Sequence, residues 1–377
     1  MKITARELNR ATLHRQLLLE RASLDVAEGV RRVVALQAQQ PGSPYVALWN
    51  RLAGFDPAGL DAAFTDRTVV KATLMRITLH AVHAEDYPVF REALQPTLYA
   101  SKLGSRTGLP PAEVLALVPG LLDFTAVPRG TAELRAWLEE RVGAEARDGA
   151  WWGLKGYAPL HHHPTGGPWS FSDRPSYVAA GSGPLPEGPE GAPEALRRLV
   201  VRYLEGFGPA SVADLAQFGM LRRGPVRQAL RALDGEVERL EGPAGEELFD
   251  LVGAERPDGA TPAPARLLGM WDSVLLAYAD RSRVVPPELR RTVIRVNGDV
   301  LPTLLVDGRV AGVWRPADGG IEATAFAELP EPVWDELAEE ARSLCALLAG
   351  RDPELYGRRY GHWWAKLPTG RVRLLPG

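Results

Sequence analysis

The sequence predicts a mainly α protein with β-hairpins (α+β), built of winged-helix modules and a C-terminal β-containing module. Two observations predict it. Capped helical segments are twice followed by a pair of strand-like runs, near residues 68–82 and 237–251. Beyond Leu267, strand-like segments alternate with one long helix. The reading rests on periodicity. Apolar residues three and four apart mark helices, and β-branched runs between turn residues mark strands.

In the first module, residues 1–110, Thr4 and Glu7 have capping-box spacing for an opening helix. Asp25 caps the next helix, whose apolar run Val30 to Leu36 is expected to end before Pro41, because proline lacks an N–H and restricts the residue before it. Gln37 and Gln39 are thereby expected on the last turn or just past it. Ser43 begins a short helix, Tyr45 to Leu52, and Asp56-Pro57 starts a fourth. Thr68 to Leu74 and Ile77 to Val82 read as the paired strands of a wing, closed by a helix from Glu85-Asp86-Tyr87.

The second module, residues 111–190, has a helix from Thr131 to near Val142. A Gly- and Pro-rich region with Trp151, Trp152 and Tyr157 follows and reads as a wing; residues 181–192 read as a linker. The third module, residues 191–260, is the clearest helix-turn-helix. Leu196, Leu199, Val200, Tyr203 and Leu204 have helical spacing, Ser211 caps Val212 to Phe218, and Pro225 opens a helix ending at Leu233. Val237 to Leu240 and Glu247 to Leu251 form its wing. In the last module, residues 261–377, Asp307-Gly308 marks a hairpin turn, Pro332 to Leu348 a helix, and Arg371 to Leu375 a final strand.

At 377 residues the chain exceeds one ordinary domain, and 45% hydrophobic with 24% charged residues describes a soluble globular protein. A lone cysteine, Cys345, excludes an internal disulfide and suits a reducing compartment. No secretion-signal pattern or membrane-length apolar run is seen, so a cytoplasmic monomer without a membrane partner is expected. The formal charge of −3 argues against strong generic affinity for nucleic acid, although local distribution matters more. Gly-rich phosphate loops, Gly-x-Ser-x-Gly elbows and paired Cys motifs are absent from the sequence, leaving nucleotide hydrolysis, serine hydrolysis and metal-dependent cleavage unsupported. His161-His162-His163 has no cysteine or acid at zinc-site spacing and reads as part of a surface wing. No metal or cofactor is expected.

Three basic features bear on DNA. Arg222, Arg223, Arg227 and Arg231 fall on the second helix of the helix-turn-helix, the last three sharing a face at spacing four. The alternative is a solvated surface paired with Asp214 or the Glu236–Glu238 cluster. Arg281 and Arg283, with Arg290, Arg291 and Arg295, form a second cluster suited to phosphates. Arg309 at the Asp307-Gly308 tip is a candidate minor-groove probe, the alternative being an ordinary turn. His80 and His83 alternate on a strand, so one is expected in the core.

The carboxamides Gln37 and Gln39 are the candidate catalytic residues. Such a side chain donates and accepts hydrogen bonds without titrating, so it can hold a water or a sugar oxygen but cannot be a strong base. The plain alternative is that they cap orphan carbonyls at a helix end.

Leu36-Gln37-Ala38-Gln39 with Pro41 and Ser43-Pro44-Tyr45 resembles the signature of a bacterial winged-helix family of DNA glycosylases, the AlkZ/YcaQ-like family. One branch of that family carries Gln-x-Gln, as here, and another Gln-x-Asp. Arg76-Ile77-Thr78-Leu79-His80, Gly208-Pro209-Ala210 with Asp214-Leu215-Ala216, and Val306 to Arg315 resemble further family segments. So does Leu267 to Asp272 with Asp280 to Arg283, although Gly269 replaces a proline and Trp271 a tyrosine or phenylalanine.

The resemblance implies tandem winged helices around a concave surface for duplex DNA. It also implies monofunctional removal of N7-alkylated purines, unhooking of N7-linked interstrand crosslinks, and protection against a DNA-alkylating natural product such as azinomycin. Gln37 and Gln39 would carry the chemistry in an open, shallow site. The competing reading is a non-catalytic winged-helix DNA-binding regulator, with a protein-interaction scaffold as a third; release of free base separates the first from both.

Overall fold

The computed structural model describes residues 1–103, 107–181, 192–368 and 370–377; the stretch read as a linker lies almost wholly outside them. The opening helix, Ala5–Arg15, forms where expected. Thr4 Oγ1 accepts from the Glu7 N–H at 3.2 Å, and the Glu7 carboxylate accepts from the Thr4 N–H at 2.7 Å. Most of this helix is buried, and its polar side chains reach far-off parts of the chain. Arg15 donates twice to Asp250, at 2.6 and 2.9 Å, and Arg10 pairs with Asp307.

Asp25 caps the helix Val26–Arg32, which ends four residues earlier than its apolar run suggests. Val34 takes φ 73°, a left-handed conformation that a β-branched residue rarely adopts and that no helix can continue through. The chain then extends as β1 (Leu36–Gln37). The glutamines therefore do not sit on a helical turn, a correction to the sequence reading. Ser43–Trp49 and the Asp56-capped Pro57–Thr65 follow, then β2 (Val69–Thr73), β3 (Leu79–His83) and the helix Tyr87–Ala93.

β1 to β3 join β4 (Arg129–Gly130), β5 (Leu160–His163) and β6 (Ser176–Ala179) in one antiparallel sheet, ordered β1-β3-β2-β5-β6-β4. Strands from residues 1–110 and 111–190 thus share a sheet. The histidine run is β5 itself, with Lys71 opposite His162, rather than a surface wing. Burial beside Lys71 pushes His162 down to about 3, and burial pushes His161 to about 4. Trp151, Trp152 and Tyr157 lie in the helix Thr131–Tyr157, which breaks at Gly143 (φ 77°) and resumes; they are not in a wing. The sequence reading stopped at that break.

The third module matches its prediction closely. The helices Pro193–Phe207, Val212–Gly219 and Arg223–Ala232 precede a hairpin of β7 (Val237–Glu241) and β8 (Glu247–Leu251). The C-terminal sheet is antiparallel, ordered β13-β12-β11-β10-β9 from β9 (Arg266–Leu268), β10 (Thr303–Val306), β11 (Arg309–Ala317), β12 (Gly320–Ala325) and β13 (Arg371–Pro376). The helix Glu331–Ala349 packs on it. Asp307 and Gly308 turn β10 into β11 with φ 45° and 77°, the two positive φ values of a type I′ turn. Among the described residues no helix is long and apolar enough to cross a membrane.

Two apolar cores meet at β1 and β3. One joins the first helices to the C-terminal sheet through Leu36, Leu48, Leu267 and Trp314. The other joins β2 and β3 to the long helix and the helix-turn-helix through Ala35, Val82, Leu154 and Phe218. The short strand carrying Gln37 is therefore anchored from both sides.

Candidate active site

β1 owes its conformation to β3. Leu36 pairs with Ala81 and Gln37 with His80, and the Ala38 N–H donates to Leu79 O at 2.8 Å just beyond. Gln37 is buried, while Gln39 is partly exposed at the bend that follows. The Leu79 N–H reaches Gln39 Oε1 at 3.4 Å. Both carboxamides thus lie at the entrance to β3, and no unwound helix turn is needed to bring them there.

Arg76 comes from the β2–β3 connection. Arg76 and Ile77 both take positive φ, 53° and 60°, a strained pair for side chains of this size. Arg76 Nη2 donates to Gln37 Oε1 at 3.1 Å and lies 3.3 Å from His80 Nε2. His80 Nδ1 is 3.1 Å from Thr78 O. A carbonyl only accepts, so Nδ1 carries the proton and Nε2 accepts from Arg76. Burial, with the Arg76 charge, pushes His80 down to about 3. It is the neutral core histidine of the strand and has no proton to give at working pH. The Arg76 guanidinium also lies 5.6 Å from the Phe218 ring of the helix-turn-helix.

Arg222, Arg223, Arg227 and Arg231 are exposed, opposite the buried Val226, Ala229 and Leu230. Among the described residues they make no ion pair. Of the acids offered as alternative partners, Asp214 closes the capping box of its own helix and pairs with Arg283, and Glu238 pairs with Arg256 at 2.8 Å, while Glu236 is exposed. Arg227 and Arg231 join Arg239 in a cleft of about 510 Å³ between this helix and its wing.

The second basic cluster divides. Arg283 is buried, donates to Pro209 O at 2.9 Å and stacks 3.8 Å above Tyr278. It holds the helix-turn-helix to the loop after Tyr278 and cannot meet a phosphate, contrary to the sequence reading. Arg281 is half-buried, and burial together with Arg290 lowers its pKa. Arg290 and Arg291 remain exposed.

Arg309 is exposed, with Nη2 donating to Ser282 O at 3.3 Å. Its hairpin tip is docked on the opening helix rather than free to probe a groove. Asn9 donates to Gly308 O at 2.7 Å, Arg6 and Arg10 hold Asp307, and a Cβ on Gly308 would collide with Asn9 and Leu13.

Sequence reasoning missed two contributors. Arg76 stood in the Arg-x-Thr-Leu-His segment without a role, and Asp272 in the Leu-Leu-x-x-aromatic-Asp stretch turns out to be the fully buried partner of Arg51.

Fold and sequence place the chain in a defined class. It belongs to the DNA glycosylase AlkZ-like family, whose model matches residues 30–347 and so includes both glutamines and Arg76. Among curated proteins it is similar to the interstrand DNA cross-link repair glycosylase of Streptomyces sahachiroi, 28% identical over 365 residues, 91% of this chain and 97% of that one. Among solved structures it is similar to Streptomyces sahachiroi DNA glycosylase AlkZ, with a TM-score of 0.80 at 23% identity, covering 93% of this chain and 98% of that chain. This last likeness is one of fold.

Proposed function

We propose that this protein is a monofunctional DNA glycosylase that releases N7-alkylated purines from duplex DNA and unhooks interstrand crosslinks made through N7. The observation that carries the reading is the pair of non-titrating carboxamides held against the entrance of β3 by Arg76 and the Leu79 N–H. Alkylation at N7 puts a positive charge on the base, so the base departs neutral and needs little help from a general acid. What remains is to stabilise a developing sugar cation and to place a water. Fixed dipoles and hydrogen bonds serve that task without a formal charge. The neutral His80 fits a site with no acid to offer.

A strand-cleaving step would need an amine nucleophile. The nearest in sequence is Lys71, but it pairs across the sheet with Ala81, whereas Gln37 pairs with His80. Successive strand residues point to opposite faces, so Lys71 and Gln37 point apart. The Lys71 amine sits 4.2 Å over Phe171, with burial lowering it to about 7. The side of the sheet that Lys71 occupies supports hydrolysis that leaves an intact abasic strand. Protection against a DNA-crosslinking natural product such as azinomycin is the physiological role that fits this chemistry.

Duplex DNA carrying one N7-methylguanine tests the reaction. The expected products are free 7-methylguanine and an abasic strand that breaks only on treatment with alkali. DNA binding without base release would instead establish the non-catalytic regulator. Breakage without alkali would remove the monofunctional assignment.

The exposed arginines of the helix-turn-helix are proposed to bind the DNA backbone. Replacing Arg223, Arg227 and Arg231 with alanine is expected to weaken binding to any duplex sequence. The slope of log affinity against log salt should fall by about 0.9 for each phosphate that is no longer neutralised. An unchanged slope in a fluorescence-anisotropy titration would move the interface elsewhere.

A further inference from the structure

We propose that Arg76 is the positioning residue for Gln37, fixing its carboxamide so that the amide N–H groups, and not the oxygen, face the substrate. The inference rests on the glycosylase reading above and assigns a polarity to one of its two glutamines. A guanidinium has only donors. The carboxamide beside it must therefore turn Oε1 toward Nη2, 3.1 Å away, and Nε2 is left on the other side. His80 completes the clamp. Its Nδ1–H is spent on Thr78 O, its Nε2 can only accept, and it holds the same Nη2 at 3.3 Å.

The Arg76 environment is strained and incompletely paired. Among the described residues Arg15 and Arg51 are closed into the fold against carboxylates, Asp250 and Asp272, while Arg91 donates to a glutamine oxygen, Gln95 Oε1 at 2.7 Å, as Arg76 does to Gln37. Among the described residues Arg76 has no carboxylate partner. Its Nη1 is buried with no hydrogen-bond partner, and its backbone and that of Ile77 are left-handed. Strain and an unsatisfied buried donor persist where surrounding structure holds them for a purpose. The side chains to which Arg76 donates hydrogen bonds are Gln37 and His80, both neutral. A charge-assisted bond to Oε1 polarises the carboxamide and strengthens its outward N–H donors. Gln37 then meets the substrate as a donor, to a sugar, phosphate or base oxygen beside the bond being broken.

A double-mutant cycle tests this under single-turnover conditions on N7-methylguanine DNA, with affinity and thermal unfolding measured for each variant. Arg76→Met is expected to slow base release by about 10- to 100-fold, the usual cost of mispositioning a reacting group, with DNA affinity unchanged. In the Gln37→Ala background the same substitution should cost nothing further. Gln37→Glu should be as slow as Gln37→Ala, since it keeps an oxygen for Arg76 but has lost the donor.

Equal slowing by Arg76→Met in both backgrounds, or a wild-type rate for Arg76→Met, would overturn the positioning role. Retained activity in Gln37→Glu would overturn the donor role. If Arg76→Met does not fold, Arg76→Lys, which keeps the charge and loses the planar fork, enters the same cycle with the same criteria. A wild-type rate for Gln37→Ala is the distinguishable failure of the underlying assignment of Gln37, and the role of Arg76 would fall with it.

Discussion

With alanine at both Gln37 and Gln39, release of N7-methylguanine from duplex DNA is expected to fall by at least about 100-fold, the scale seen when a preorganised hydrogen-bonding group is removed from a reacting centre. DNA affinity should hold, because neither side chain belongs to the exposed arginine surface. Gln39 is partly exposed and its own hydrogen bond to the Leu79 N–H is long, so its loss leaves the fold little changed. Gln37 is more enclosed, and alanine there leaves Arg76 without its oxygen partner. The double variant therefore needs a melting curve beside its rate. A variant that is folded, binds DNA and still releases base at the wild-type rate would remove the glutamines from the mechanism. Single-turnover kinetics are the right measurement, since slow departure from the abasic product would mask a chemical defect in steady state.

The largest expected effect on stability belongs to Asp272. Its carboxylate takes two hydrogen bonds from Arg51, each 2.7 Å, with both side chains fully buried, and it also accepts from the Val274 N–H at 3.1 Å. Arg51 further donates to Ala47 O at 2.9 Å. The pair ties the helix Ser43–Trp49, just beyond the glutamines, to the segment after β9. Asp272→Ala leaves a guanidinium with no counter-charge in the core, and such a loss costs about 3–5 kcal/mol. Denaturant unfolding of the variant checks this. Replacing both partners with apolar residues of similar size should recover much of the loss, because the penalty comes chiefly from the orphaned charge. A fall of less than about 1 kcal/mol for Asp272→Ala would mean that water or another group reaches Arg51 on relaxation.

The elements that were legible in the sequence carry their instructions locally. Thr4 with Glu7, Asp25, Asp56-Pro57 and Ser211 each name a helix start, and each caps one. The wing at 237–251 and the Asp307-Gly308 turn were legible because turn residues bound the runs on either side. The site was half legible. The motif picked out Gln37 and Gln39, but their backbone conformation came from pairing with β3, more than 40 residues away. No local pattern announces a two-residue strand after an apolar helical run, and none announces a left-handed valine at 34.

Burial hid the rest. Arg283 belongs to a run of charged residues that looks solvated, yet the fold closes over it. The three histidines read as an exposed wing until β2 paired with them. Gly143 looked like the end of a helix because positive φ ends most helices, but here the chain turns and resumes helically through Trp151 to Tyr157. Arg76 and Gln37 are 39 positions apart, so no spacing rule could have joined them.

The most direct test of the central claim is a denaturing gel on a short duplex with one defined N7–N7 guanine crosslink. A base tied to the opposite strand cannot swing freely into a pocket, unlike the nucleotides that base-flipping enzymes extrude. An enzyme that unhooks it has to reach the glycosidic bond in place, from the groove. The expected result is conversion of the slow crosslinked band to unhooked single strands by the wild-type protein, and none by the Gln37→Ala, Gln39→Ala variant. Release of 7-methylguanine from singly damaged DNA with the crosslinked band left intact, even at excess protein, would contradict it.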